Sequence, residues 1–470
     1  MVDRPLTRAL VLLPLTGSMR QPSRRGVATD RPVEPWRSPE DRLAEAVGLA
    51  QAIELDVRDS LMVPLQNLKA GTLFGSGKVD EIGQFVESEA IDLVVIDHAV
   101  TPIQQRNLER TWNAKVLDRT GLILEIFGRR ARTREGRLQV ELAHLTFQRG
   151  RLVRSWTHLE RQRGGVGFLG GPGETQIETD RRLLQDRIDK LRGELEKVTK
   201  TRTLHRQGRR RVPYPIVAIV GYTNAGKSTL FNRLTGAEVF AKDQVFATLD
   251  PTMREIALAS GRRIILSDTV GFISDLPTML VAAFRATLEE VVEADLILHV
   301  RDIAHPESDA QRADVDEVLE SLGIAAESAD NNILEVWNKI DLAGSERLAE
   351  LVLSAQRRKR QPIMVSAVTG DGFEALRHAI DDWIGQSDTE IELVVPASAG
   401  QLMHWLHENT SVIARNAEDD GATRFHLRVV GEKLGKLQSL LQRAGVRFPA
   451  VTDVSNEDVA ARSGGPWLPE

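Results

Sequence analysis

The chain has 470 residues, a formal net charge of −6 at pH 7 and no cysteine. At ~150 residues per domain this length predicts about three domains, and 41% hydrophobic with 27% charged residues is typical of a globular protein. The lack of cysteine excludes disulfides and thiolate metal sites and fits the cytoplasm, where we expect the protein. No apolar run approaches the ~18 residues of a membrane span, so we expect none.

Residues 1–130 predict a small parallel α/β domain. Strand-like runs alternate with helical stretches, and this order is typical of parallel sheets. The runs lie at Ala9–Leu13, Ile53–Val57, Leu93–Asp97 and Ala114–Leu117, and the helical stretches at Val79–Ala90 and Thr101–Trp112. Residues 16–40, rich in Pro and Arg, predict a flexible insertion. Ser38 and Pro39 suit the cap and first position of a helix that follows it.

The segment Leu73–Lys78 resembles the end of a phosphate loop, but the first glycine of the full spacing is missing. It fits a tight turn into a helix as well as it fits a loop that contacts phosphate or RNA.

Residues 131–211 predict a basic, antiparallel helical hairpin. Two apolar series at the helical period, Leu138 to Leu159 and Ile177 to Val198, flank the glycine-rich residues 164–173, which no helix tolerates. Arginines outnumber glutamates ten to three between residues 129 and 163. Such a run is often only a solvated face, but arginine pairs with phosphate and stacks on bases. We therefore predict an RNA-contacting arm, with its contacts at Arg151, Arg154, Arg163, Gly165 and Gly171.

Residues 212–388 predict a doubly wound nucleotide-binding domain with a phosphate loop. The sequence from Gly221 to Ser228 reads G-x-x-x-x-G-K-S and lies between an apolar run and a helical stretch. This context aims backbone N–H groups and a helix N-terminus at one phosphate. Lys227 would reach the β- and γ-phosphates and Ser228 would ligate Mg²⁺. The predicted contacts here are Gly221, Tyr222, Thr223, Asn224, Ala225, Gly226, Lys227, Ser228 and Thr229.

Further signals follow at the ends of later predicted strands, where such sheets bind ligands. Asp268–Gly271 reads D-x-x-G, so Asp268 can hold Mg²⁺ through water and the Gly271 N–H can approach the γ-phosphate. Asn338–Asp341 reads N-K-x-D, and the Asp341 carboxylate can accept from two guanine N–H groups that adenine lacks. Ser366-Ala367 would place a backbone N–H on the guanine carbonyl. The nucleotide contacts predicted here are Asp268, Thr269, Val270, Gly271, Asn338, Lys339, Ile340, Asp341, Ser366 and Ala367.

The loop Phe246–Thr252 could close over the metal. We choose Thr248 as its metal-binding threonine, with Thr252 second, and expect Phe246, Ala247, Thr248, Leu249 and Asp250 to contact GTP. Lys227, Thr248 and Gly271 are the predicted catalytic residues. Taken in order, these signals predict a GTP-hydrolysing domain that uses Mg²⁺.

Two positions predict how the site behaves. Phe272 follows Gly271, where many GTPases carry a glutamine that orients water, so we expect slow hydrolysis without a partner. Phe272 could equally pack against the sheet, and the two interpretations are compatible. Asn224 could help to hold a monovalent cation such as K⁺.

Residues 389–455 predict a small α+β module followed by a tail at 456–470. Its order is strand, helix, strand, strand, helix.

With these residues in view, the chain resembles the HflX family of ribosome-associated GTPases, of the TRAFAC class, over nearly its whole length. The pieces that carry the resemblance are Gly221–Leu230, Phe246–Thr252, Asp268–Phe272, Leu288–Glu290, Ala294-Asp295 and, most distinctively, Gly164–Arg182. The resemblance implies a hairpin that docks on 23S rRNA of the large (50S) subunit, ribosome-stimulated GTP hydrolysis and the splitting of stalled or idle 70S ribosomes. Some members also hydrolyse ATP, which leaves that activity open here. Arg301 stands where an apolar residue is expected, and we expect it to matter little.

Two functions fit these predictions. The first is a GTP-driven ribosome-splitting factor; the second is an RNA-binding assembly or chaperone factor that uses GTP as a timer. A monomer is the simplest interpretation.

Overall fold

This computed structural model describes residues 6–16, 37–65, 67–131, 133–162, 172–209, 214–236, 252–275, 288, 290–324, 332–358, 360–385, 388–418 and 421–447. Contacts divide the chain into two compact units. One holds residues 1–210, 216–256 and 265–373, and the other holds residues 211–215, 257–264 and 374–470.

The chain begins with a four-stranded parallel sheet in the order β2-β1-β3-β4. Its strands are β1 (Arg8–Leu15), β2 (Asp56–Pro64), β3 (Leu93–Ile96) and β4 (Lys115–Asp118). The prediction of a strand at Ile53–Val57 was wrong by several residues. The chain turns at Glu54, whose φ of 59° is left-handed, so Ile53 packs into the core from a turn and the strand starts at Asp56.

Four helices cover this sheet: α1 (Pro39–Gln51), α2 (Ser76–Ser88), α3 (Pro102–Trp112) and α4 (Arg119–Arg130). Ser38 caps α1 by accepting from the Asp41 N–H, with Pro39 in the first turn, as predicted. Thr101 and Gln104 form a capping box at α3. The sequence patterns did not indicate α4, which begins directly after β4.

Two long helices follow, α5 (Arg134–Gln162) and α6 (Pro172–Arg209). They run antiparallel, since Arg149 on α5 bonds to Gln185 on α6 and Glu141 pairs with Arg187 at 2.7 Å. Ile188 and Leu191 are buried, as the apolar period predicts. The hairpin is confirmed, while its glycine-rich tip lies outside the described residues.

The nucleotide-binding region is built on a six-stranded sheet in the order β10-β9-β8-β5-β7-β6. The strands are β5 (Ile216–Gly221), β6 (Thr252–Ala257), β7 (Arg263–Asp268), β8 (Leu296–Asp302), β9 (Ile333–Asn338) and β10 (Ile363–Met364). Neighbours from β10 to β7 are parallel. The edge strand β6 was not predicted, and Thr252, the second choice of metal-binding threonine, is its first residue.

Helices α7 (Lys227–Thr235), α8 (Ser308–Ser321), α9 (Ser345–Gln356) and α10 (Phe373–Gly385) alternate with these strands, and a 3₁₀ turn spans Ile340–Leu342. The central strands β5 and β8 are almost wholly buried, as strands covered on both faces are. The sheet thus brings the ends of β5, β7, β9 and β10 to one edge.

The second unit contains a three-stranded antiparallel sheet in the order β11-β13-β12. Its elements are β11 (Asp388–Val395), α11 (Gly400–Asn409), β12 (Ser411–Ala417), β13 (Thr423–Val430) and α12 (Gly431–Arg443). Alternate residues of β11 and β13, including Leu393 and Phe425, pack with Leu406 and Leu437 of the helices. The predicted α+β module is confirmed.

Candidate functional site

The phosphate loop connects β5 to α7. Gly226 precedes Lys227 with φ of 89°, and a Cβ there would lie 2.2 Å from Nδ2 of Asn338. Among the amino acids, only glycine can combine this backbone conformation with so close an approach. The loop therefore holds its shape because the glycines of the motif fit where side chains do not.

Lys227 is buried, and its Nζ donates to the Tyr222 carbonyl at 2.7 Å. Burial lowers the pKa of Lys227 to about 8, against the opposing effect of Asp268. A Cβ at Gly271 would lie 2.8 Å from the same Nζ, so the D-x-x-G glycine lies beside the lysine. A bound phosphate would supply the negative charge that this buried ammonium favours.

Ser228 and Asp268, the two residues predicted to hold Mg²⁺, lie in contact with each other. The Ser228 hydroxyl donates to the Asp268 carboxylate at 2.8 Å, and Asp268 is buried at the end of β7. A hydroxyl and a carboxylate oxygen are the hard donors that Mg²⁺ prefers. These residues fit Mg²⁺, and they lie beside Lys227, where phosphates would complete its coordination.

The N-K-x-D motif is joined to the phosphate loop through Asn338. Its Nδ2 donates to the Ala225 carbonyl at 2.8 Å and its Oδ1 accepts from the Ala367 N–H at 2.9 Å. Lys339 pairs with Asp302 at 2.7 Å, and Asp341 is exposed in the 3₁₀ turn. Asp341 is therefore accessible to a base.

The amides of Ser366 and Ala367 are both bonded within the protein. The Ser366 N–H donates to the Asp371 carbonyl at 3.0 Å and the Ala367 N–H to Asn338. For either amide to bond guanine as predicted, it must exchange this partner.

Phe272 is part of the core. It is 2% exposed, its carbonyl accepts from the Thr223 N–H at 2.7 Å, and its N–H donates to the Gly221 carbonyl at 3.1 Å. The packing interpretation is thus confirmed. Its phenyl ring has no hydrogen-bonding group, so it cannot orient an attacking water.

Several predicted contacts lie outside the described residues, namely Phe246, Ala247, Thr248, Leu249, Asp250, Arg163, Gly165 and Gly171. Arg154 lies on α5, but its side chain is not described. Arg151 pairs with Asp118 at 3.0 Å and stacks over Phe147. Its guanidinium is engaged inside the protein, which does not suit the RNA contact predicted for it.

In the Leu73–Lys78 segment, residues 73–75 lead into α2 and Ser76–Lys78 form its first turn, where Lys78 pairs with Glu81 at 2.6 Å. Among the alternatives left open, this geometry favours the tight turn.

The sequence patterns missed a buried charge cluster on β8 and β9. Arg301 is 3% exposed, pairs with Glu335 at 3.1 Å and stacks on Trp337. Arg301 was expected to matter little, but its buried guanidinium and its pair with Glu335 predict a role in stability. One signal could have indicated this cluster: the charged residue Arg301 directly follows the largely apolar run 296–300.

A phosphate loop, a D-x-x-G and an N-K-x-D, brought together at the edge of a mainly parallel sheet, define a P-loop GTPase. Four family profiles match successive parts of the chain: "GTP-binding GTPase N-terminal" at residues 40–128, "GTP-binding GTPase Middle Region" at 130–209, "50S ribosome-binding GTPase" at 216–339 and "HflX C-terminal domain" at 350–446.

Curated relatives match most of the chain. GTPase HflX of Magnetococcus marinus is 51% identical over 405 residues, covering 86% of this chain and 91% of the relative. GTPase HflX of Escherichia coli K12 is 46% identical over 355 residues, covering 76% and 82%. The chain belongs to the HflX family of GTPases.

Among solved structures, a GTP-binding protein from Sulfolobus solfataricus in complex with GDP is 24% identical, with a TM-score of 0.42, and covers 80% of this chain and 98% of that one. Within the described part of the chain, no helix combines the length and apolar character needed to cross a membrane.

Proposed function

We propose that this GTPase binds the large ribosomal subunit through its helical hairpin and couples GTP binding and hydrolysis to the dissociation of stalled or idle 70S ribosomes. The observation that carries the proposal is the joining of a basic α5–α6 hairpin to a GTPase site whose Phe272 offers no group to position water. Such a site needs a partner for fast turnover. The profile described as a 50S ribosome-binding GTPase supports the large subunit as that partner.

In this mechanism Lys227 and the loop amides bind the β- and γ-phosphates, and Asp341 selects guanine. Ser228, Thr248 and, through water, Asp268 would hold Mg²⁺, which neutralises charge on the phosphates. Gly271 contacts the γ-phosphate. When hydrolysis removes that phosphate, the segment that follows Gly271 loses this contact. Asn224, exposed in a left-handed conformation, could add K⁺ at the loop.

The test is a GTPase assay with and without purified large subunits, combined with density gradients of 70S ribosomes. We expect subunits to raise turnover by orders of magnitude, and the GTP-bound protein to convert 70S particles to subunits. The same measurements with ATP test the secondary activity.

Lys227→Ala is the matched negative control, since it removes phosphate binding but leaves the hairpin unchanged. Intact 70S particles at saturating protein and GTP would exclude the splitting role. Tight binding to immature large subunits without splitting would instead support the assembly-factor alternative.

A further inference from the structure

One carboxylate of the first α/β region contacts both the phosphate loop and the segment after the D-x-x-G. Glu45, on α1, accepts from the Tyr222 hydroxyl at 2.6 Å and from the Ser274 hydroxyl at 2.9 Å. Tyr222 is the second residue of the phosphate loop, and Ser274 follows the D-x-x-G closely. The Ser274 N–H also donates to the Tyr222 hydroxyl at 2.8 Å. Glu45 thus contacts both the phosphate loop and the segment that follows the D-x-x-G.

Arg119 fixes Glu45 in place. Its guanidinium pairs with Glu45, bonds Asp97 at 2.6 Å and donates to the carbonyl and hydroxyl of Ser274 at 2.9 and 2.7 Å. The Arg119, Asp97 and Glu45 side chains are only 8%, 2% and 13% exposed. Charges at this depth keep a defined geometry, because losing one partner leaves the other buried and uncompensated.

Glu45 is held as an acceptor. Burial opposes its ionisation, but Arg119 and the hydrogen bond from Tyr222 outweigh that effect and lower the pKa of Glu45. An ionised carboxylate accepts hydrogen bonds and donates none. Both hydroxyls are therefore directed at Glu45.

The network lies where an α/β sheet of this type binds ligands. In the order β2-β1-β3-β4, the strand order reverses at β1, and the crevice beyond the carboxyl ends of β1 and β3 is the switch point. Asp97 follows β3, and Arg119 follows β4. Arg42 adds a 3.0 Å pair to Asp275. The Ser274-Asp275 segment of the GTPase region thus occupies this edge as a ligand would.

The backbone of Tyr222 and of the D-x-x-G segment contacts residues of the phosphate loop. The Tyr222 carbonyl accepts from Lys227, whose Nζ must turn to the phosphates when nucleotide binds. Phe272 is bonded to Thr223 and Gly221 through its backbone. Lys227 is therefore linked to Glu45 by two hydrogen bonds through Tyr222, and Gly271 is linked to the neighbours of Tyr222 through the backbone of Phe272.

We propose that Glu45 is a positioning residue through which the first α/β region senses the γ-phosphate, and that its contacts with Tyr222 and Ser274 set the preference of the site for GTP over GDP. Because coupling is reciprocal, a contact that differs between the two nucleotide states must change their relative affinities when it is removed. The inference rests on GTP binding and is independent of ribosome splitting.

The experiment uses the full chain and measures the Kd of GDP and of the GTP analogue GMPPNP by titration calorimetry for wild type, Tyr222→Phe, Glu45→Gln and Ser274→Ala. The matched control is Tyr214→Phe, since the chain has 2 tyrosines and the hydroxyl of Tyr214 accepts a long 3.4 Å bond from the exposed Arg263 side chain. The ratio of the two Kd values separates positioning from a structural defect, which would weaken both nucleotides equally.

We expect the ratio to change by about fivefold or more in Tyr222→Phe and in Glu45→Gln, and to stay at the wild-type value in Tyr214→Phe. A smaller change in both variants would overturn the proposal. If Glu45→Gln does not fold, Tyr222→Phe and Ser274→Ala, each of which loses one hydroxyl, decide by the same criterion. Wild-type protein that binds neither nucleotide would instead contradict the GTPase function itself.

Discussion

The Nδ2 of Asn338 donates to the Ala225 carbonyl at 2.8 Å, so one side chain links the guanine motif to the phosphate loop. Asn338→Ala removes this bond and the one from the Ala367 amide, and buried groups left without partners cost roughly 1–3 kcal/mol each. We expect about tenfold or more weaker binding of GDP and GTP alike, measured by calorimetry. Asn332→Ala, which loses a 2.6 Å bond to Ala294 outside the site, should bind both nucleotides normally.

Asp341 should decide the base. Asp341→Asn replaces an acceptor-only carboxylate by an amide whose NH₂ opposes the guanine donors, and penalties of this kind reach about 10⁴-fold. Xanthine carries a carbonyl in place of the exocyclic amine, so we expect the variant to prefer XDP over GDP in a competition assay. Retained guanine preference would show that Asp341 does not contact the base.

Arg301 should matter for stability. Its substitution by Leu leaves Glu335 with Arg358 at 2.8 Å and Arg312 at 3.4 Å, so the loss should stay near the lower end for a broken buried pair, roughly 3 kcal/mol. Urea unfolding followed by tryptophan fluorescence measures it. Arg347→Leu, at an exposed pair with Glu350, should change the unfolding free energy by less than about 1 kcal/mol.

His299 should make the protein sensitive to acid. It is buried on β8, and burial lowers its pKa to about 3, whereas an unfolded histidine titrates near 6.5. As the pH falls below ~6.5 only the unfolded chain takes up this proton, so stability falls by up to about 1.4 kcal/mol per pH unit until the folded pKa is reached.

The measurement compares wild type with His299→Gln by unfolding between pH 7 and pH 5. The difference in unfolding free energy should shift in favour of the variant as the pH falls. Asp316, whose pKa burial raises to about 6, titrates in both proteins. A difference that is independent of pH would contradict the assignment of His299 as a buried neutral group.

The arginines of the hairpin should behave differently from one another. Arg154→Gln with Arg163→Gln should weaken binding to large subunits and lower the slope of log K against log salt by roughly 0.7–0.9 per lost phosphate contact. Arg151→Gln should leave that slope unchanged and reduce thermal stability instead, because it leaves Asp118 without its pair. Equal slopes in all variants would show that the hairpin does not bind RNA through these side chains.

The sequence predicted what local patterns control. Apolar runs predicted the strands of both larger sheets except the edge strand β6, and the cap at Ser38 and the glycines of the phosphate loop lie where their conformational preferences place them. The start of β2 was misplaced because Ile53 and Leu55 are as buried as strand residues, although Ile53 lies in a turn and Leu55 precedes the strand.

The remaining features depend on contacts between distant parts of the chain. Glu45 and Tyr222 are separated by 177 positions, and a glutamate on an amphipathic helix gives no sign of such a partner. Arg151 was predicted to contact RNA because its partner is also distant in sequence. Its pair with Asp118 forms only when α5 packs beside β4. A count of charged residues along the sequence does not show which of them form ion pairs in the folded protein.

The joining of Glu45 and Arg119 to Ser274 has a practical consequence for anyone who cuts this protein into parts. A fragment beginning near residue 214 would expose the hydroxyls of Tyr222 and Ser274 to water. It would also lack Arg119 and Asp97. Kinetics measured on that fragment would describe a GTPase site without the contacts of Glu45 and Arg119. Comparison with the intact chain would show how much the first α/β region contributes to hydrolysis.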